Sequence, residues 1–200
     1  MVNVVRRSSE PCLEAFLIST GLVALAEMGD KTQLLALILA ARFRRPIPIM
    51  VGILAATLAN HAFAGALGAW ITSIVGDDVL RWILGASFIV MGGWMLVPDK
   101  IEADADERPR LGVFGTTLIA FFLAEMGDKT QIATVALAAK YASFYWVVLG
   151  TTLGMMIANA PAVLVGDKFA GKLPLKLIHG IAAAVFVVLG VLAILDFGSR

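Results

Sequence analysis

The chain has 200 residues, with 16 Lys and Arg against 15 Asp and Glu, and a formal net charge of +1; no basic stripe marks a nucleic-acid partner. Its apolar fraction is 60% without counting 19 glycines, where soluble domains hold about 45–50% with glycine included, and mean hydropathy is +0.88. A soluble core of this size cannot hide so much apolar surface, so lipid is the expected solvent. The single cysteine, Cys12, excludes an internal disulfide and has no Cys or His neighbour at metal-ligand spacing.

At the amino-terminal end, Arg6 and Arg7 precede Glu10, Pro11 and Glu14, which interrupt the apolar region a signal peptide needs. The first hydrophobic segment is therefore expected to be retained. Six apolar runs approach the roughly 20 residues that cross a bilayer. They cover 13–41, 47–75, 80–97, 111–139, 144–166 and 174–196. Arg42, Arg44, Arg45 and Pro46 end the first, and a polar acidic linker, 99–110, follows the third. Trp70, Trp82, Trp94 and Trp146 suit anchoring at the membrane surfaces.

The two halves, 1–98 and 111–200, repeat each other. Glu27-Met28-Gly29-Asp30-Lys31-Thr32-Gln33 recurs as Glu125-Met126-Gly127-Asp128-Lys129-Thr130-Gln131. The same register pairs Gly52 with Gly150 and Phe88 with Phe186, then slips by one to pair Asn60 with Asn159. Three spans per half is an odd number, so the second half must enter the membrane from the opposite side. The expected fold is an all-α membrane protein, six transmembrane helices in two inverted three-helix repeats that form one integrated domain. Positive charge orients it. One face collects Arg42, Arg44, Arg45, Lys100, Arg108, Arg110, Lys168, Lys172 and Lys176, and the other only Arg6, Arg7, Arg81, Lys140 and Arg200. The richer face, with the 99–110 linker, is expected in the cytoplasm, and both termini outside.

Each motif lies inside an apolar run, where a carboxylate costs at least about 2.5–3.5 kcal/mol, so Glu27, Asp30, Glu125 and Asp128 must face protein, water or a cation. On a helix, Glu27 and Asp30 share one face, as do Glu125 and Asp128. The glycine between them weakens that helix and allows a break. Thr32, Gln33, Thr130 and Gln131 are weaker candidate ligands. The set is all oxygen, which favours calcium, manganese or magnesium over zinc or copper. Lys31 and Lys129, four residues after the glutamates, read as gating or charge-balancing groups. Four carboxylates and two lysines sum to −2, a balance met by one divalent ion or by two protons. Asn60 and Asn159 are candidate lining residues; His61 has Ala160 in its repeat position, and no role is assigned to it.

Paired Glu-x-Gly-Asp-Lys/Arg-Ser/Thr motifs in two three-span halves resemble the transmembrane-protein-165 family of calcium/manganese:proton antiporters. By motif position the resemblance covers Glu27, Gly29, Asp30, Lys31, Thr32, Glu125, Gly127, Asp128, Lys129 and Thr130. It implies a bacterial inner-membrane secondary transporter, not an enzyme, that exports Mn²⁺ or Ca²⁺ in exchange for protons. Its partners would be the cation, protons and the lipid bilayer, with no prosthetic group; a homodimer is compatible with the sequence. A small-solute exporter of the amino-acid type is the alternative. An intramembrane metal-dependent hydrolase is less well supported, because no His-Glu-x-x-His, serine elbow or phosphate loop is present.

Overall fold

The computed structural model describes residues 2–97, 111–165 and 175–196. The linker 99–110 and the charged positions Lys168, Lys172 and Arg200 lie outside the described residues. Every element among the described residues is helical: α1 (Val2–Glu27), α2 (Lys31–Phe43), α3 (Pro46–Ile74), α4 (Asp77–Trp94), α5 (Gly112–Glu125), α6 (Lys129–Tyr141), α7 (Phe144–Val165) and α8 (Leu175–Asp196).

The first and fourth apolar runs are each two helices, not one. Both break inside the heptapeptide, between Glu27 and Lys31 and between Glu125 and Lys129. The cause is local. Gly29 and Gly127 adopt φ of 82° and 76°, a left-handed conformation that glycine enters without a Cβ penalty. The α1–α2 pair is bent by 70°. The individual helices α3, α7 and α8 are long and apolar enough to cross a membrane, and the α1–α2 pair makes a fourth crossing if taken as one span. Short length keeps α5 from crossing alone (14 residues), while α4 opens on Asp77, Asp78 and Arg81.

The packing comes in pairs that exchange the two halves. Helix α1 lies on α7 as α5 lies on α3, α2 meets α7 as α6 meets α3, and α4 pairs with α8. At Gly150 a Cβ would stand 2.6 Å from the Phe16 carbonyl oxygen, and at Gly52 one would stand 3.0 Å from the Phe114 carbonyl oxygen. Only glycine allows these two helix pairs to approach so closely. Phe88 of α4 and Phe186 of α8 meet each other, with ring centroids 6.2 Å apart. Ile47, Phe63, Trp70, Tyr145 and Leu195 point outward on the apolar flanks, as lipid-facing side chains do.

A candidate cation site at the paired helix breaks

Each break is built the same way. The N–H of Asp30 donates to the Glu27 carbonyl at 3.1 Å, and that of Asp128 to the Glu125 carbonyl at 3.1 Å. Asp30 and Asp128 then occupy the N-cap positions of α2 and α6 with extended backbones, yet neither carboxylate caps its own helix. The glutamines three residues on take up a backbone donor instead. Gln33 Oε1 accepts from Gly29 N at 3.0 Å, and Gln131 Oε1 accepts from Gly127 N at 2.7 Å. Gln33 also donates through Nε2 to the Ala158 carbonyl at 2.9 Å, tying the first break to α7.

The freed aspartates cross to the other half. Lys129 Nζ lies 3.1 Å from Asp30 Oδ1, and Lys31 Nζ lies 3.1 Å from Asp128 Oδ1. The i,i+4 pairing of each lysine with its own glutamate requires a continuous helix, and the breaks remove it. The two crossed pairs differ in access: the Lys129 side chain is 5% exposed and that of Lys31 is 28% exposed.

All four acids are buried, Glu27 and Glu125 at 0% and 1% exposure and Asp30 and Asp128 at 4% and 3%. Carboxylate oxygens of Glu27, Asp30 and Asp128 lie within 4.8 Å of one another, a spacing that suits a shared metal ion. Asp128 belongs to the second motif and Glu27 and Asp30 to the first, so both motifs contribute to one charged centre. Thr32 Oγ1 donates to Glu27 Oε2, and Thr57 Oγ1, from α3, donates to Glu125 Oε1 at 3.2 Å. Glu27 Oε1, Glu125 Oε2 and Asp128 Oδ2 have no hydrogen-bond partner among the described residues. Oxygens in that condition are costly to bury unless a cation or a proton completes them. The amino ends of α2 and α6 meet the same centre and place positive helix ends beside the acids.

Thr130 is buried beside Glu27 and Asp128 on the opening turn of α6. Asn60 Nδ2 donates to the Phe122 carbonyl at 3.1 Å, holding α3 against α5. Asn159 instead donates to Met155 O of its own helix at 3.1 Å, so the two asparagines are not used alike. Two contacts had no sequence-level assignment. Thr57 reaches Glu125, and His179 Nε2 of α8 lies 2.6 Å from the Met28 carbonyl in the first break. The one signal for Thr57 was a hydroxyl within an apolar run, one helical turn before His61; His179 stands at the start of a run with no motif around it.

A family model described as "Divalent cation/proton antiporter GDT1" matches residues 15–103 and 113–199, one segment in each half. The chain belongs to this family. GDT1-like proteins fall within the transmembrane-protein-165 family, so the resemblance read from the paired motifs holds. A Vibrio cholerae protein named "Putative manganese exporter" is 50% identical over 182 residues, 90% of each chain. A GDT1-like protein of Synechocystis is 29% identical over 202 residues, covering 90% of this chain and 97% of the relative. The Arabidopsis thaliana GDT1-like protein 5 is 26% identical over 221 residues, covering 92% and 96%. No solved structure matches the chain. As a member of the GDT1 family this chain is a membrane transporter of the divalent cation/proton antiporter class, not an enzyme.

Proposed function

We propose that this antiporter exports Mn²⁺ from a bacterial cytoplasm in exchange for protons, through one site built by both heptapeptides. The observation that carries the reading is the crossed arrangement of acids and lysines. Each lysine neutralises an aspartate of the opposite motif, which leaves Glu27 and Glu125 as the unbalanced pair. One divalent ion or two protons restores neutrality, and burial makes an unbalanced −2 costly. Exchange of one Mn²⁺ for two protons then moves no net charge. Asp30 and Asp128 add oxygens to the ion and return to their lysines when it leaves. The carbonyl oxygens of Gln33 and Gln131 are engaged by glycine N–H groups, which favours a role in shaping the breaks over ligation.

The exchange-paired packing supports six crossings in two inverted repeats, with α1–α2 and α5–α6 as broken spans and α4 as a short one. An axis in the membrane plane would bring both breaks to the midplane, where broken-helix transporters bind cargo. The distribution of Lys and Arg favours a cytoplasmic 99–110 linker in an inner-membrane protein. Manganese is preferred over calcium as cargo because the Vibrio relative, 50% identical, carries manganese in its name.

Reconstitution in liposomes enclosing a manganese-sensitive dye, with a pH gradient imposed, tests the reading. Mn²⁺ flux should collapse in Glu27→Gln and in Glu125→Gln and should be matched by proton counterflow. Metal flux that ignores the proton gradient would indicate a channel, and movement of an amino acid without metal would overturn the assignment.

A further inference from the structure

His61 lies in the middle of α3, is 1% exposed, and has no hydrogen-bond partner for Nδ1 or Nε2 among the described residues. A neutral imidazole carries one donor and one acceptor, and leaving both unmet in an apolar interior costs about 1–3 kcal/mol for each group. A cost of that size points to a ligand that arrives.

The contacts of α3 place His61 beside the second break. Helix α3 runs alongside α5 and then α6 in the same direction. A Cβ at Gly52 would meet Thr117 at 2.8 Å, Thr57 reaches Glu125, Asn60 reaches Phe122, and Gly68 packs against Val135 and Ala138 of α6. Along α3, His61 falls between Asn60, which reaches Phe122 just before the break, and Gly68, which packs on Val135 and Ala138 beyond it. Around the α3 axis it lies within about 40° of Thr57 and Gly68, and also of Gly65, which packs against Val148 and Phe144 of α7, at roughly 100° per residue. Its position is therefore on the face of α3 that carries the hydroxyl holding Glu125.

We propose that His61 is a nitrogen ligand of the transported cation at the second motif, and that it selects a first-row transition ion over calcium and magnesium. The proposal rests on the transport reading above. An all-oxygen cage separates Mn²⁺ from Ca²⁺ only by size and flexibility. One imidazole among carboxylates changes the criterion to donor chemistry, because Ca²⁺ and Mg²⁺ bind through oxygen, whereas the first-row ions, of which Mn²⁺ binds most weakly, also take nitrogen. The first motif has no equivalent, since Ala160 stands at the repeat position of His61. Selection therefore operates through the half of the shared site that the second motif contributes.

The direct test is pulsed electron paramagnetic resonance of Mn²⁺ added to the full-length protein in detergent. The chain has two histidines, so ¹⁵N-histidine labelling leaves two candidates, and His179→Gln removes one of them. Modulation from a directly bound histidine nitrogen should appear in the wild type, persist in His179→Gln and vanish in His61→Gln. In liposomes, His61→Gln should raise KM for Mn²⁺ by about tenfold or more and leave Ca²⁺ within about twofold, the range a tuned metal ligand commands. Bound Mn²⁺ without nitrogen modulation in the wild type overturns the ligand role and leaves the transport reading standing. A wild type that binds no Mn²⁺ overturns both.

Discussion

Lys31 and Lys129 carry the same sequence context and make mirror contacts, yet their surroundings differ, and that difference has a measurable result. Removing Lys129 takes the cation from a pair in which both groups are buried, the setting in which breaking an ion pair costs most, up to about 3–5 kcal/mol. Lys31 is partly open, so water can replace part of what its loss removes. Lys129→Ala should therefore lower the thermal midpoint of the detergent-solubilised protein clearly more than Lys31→Ala; equal shifts would contradict the access seen here. The acids and lysines themselves were legible in the sequence, because charge inside an apolar run needs a reason. Their partners were not. Spacing along one helix suggests that Lys31 meets Glu27, whereas the pair that forms is Lys31 with Asp128, and only the three-dimensional meeting of the halves selects it.

The helix breaks are the elements on which the site depends, and part of the signal for them lay in the sequence. Asp-Lys-Thr-Gln has the spacing of a helix start, with an N-cap residue and a Gln three positions on, and a glycine stands just before it. Reading hydropathy alone merges the two short helices into one run, since α1 and α2 are apolar on both sides of the motif. What hydropathy cannot supply is the 70° bend, which follows from the left-handed glycine. At Gly127 a Cβ would meet nothing within 4 Å, so the cost of a side chain there is purely conformational. Gly127→Ala should destabilise the protein by about 1–2 kcal/mol, with no steric clash added. Thermal unfolding in detergent measures it, and a neutral result would mean that the break does not need its left-handed residue.

For the whole molecule, the proposed balance of four acids, two lysines and one divalent ion would make exchange with two protons electrically silent. A membrane potential set by potassium and valinomycin should leave the Mn²⁺ rate unchanged, while a pH gradient drives it. In the proposed exchange, protons on the side from which Mn²⁺ binds would compete for Glu27 and Glu125, so acidifying that side should raise the apparent KM, and acidifying the opposite side should speed uptake. A rate that follows voltage would require a different count of charges. At this scale the duplication was the most legible feature, because seven identical residues recur in register. The side on which each half departs from the other was less so: Thr57 and His179 serve one motif each, and no repeat marks them.

The crossed lysine–aspartate pairs also speak to descent. A half-length chain inserted in both directions would make these same pairs with a second copy of itself, each copy lending its lysine to the other's aspartate. Such an assembly must keep two equal faces, since one gene specifies both. Joining the halves in a single chain lifts that restriction, and each half can then change independently of the other.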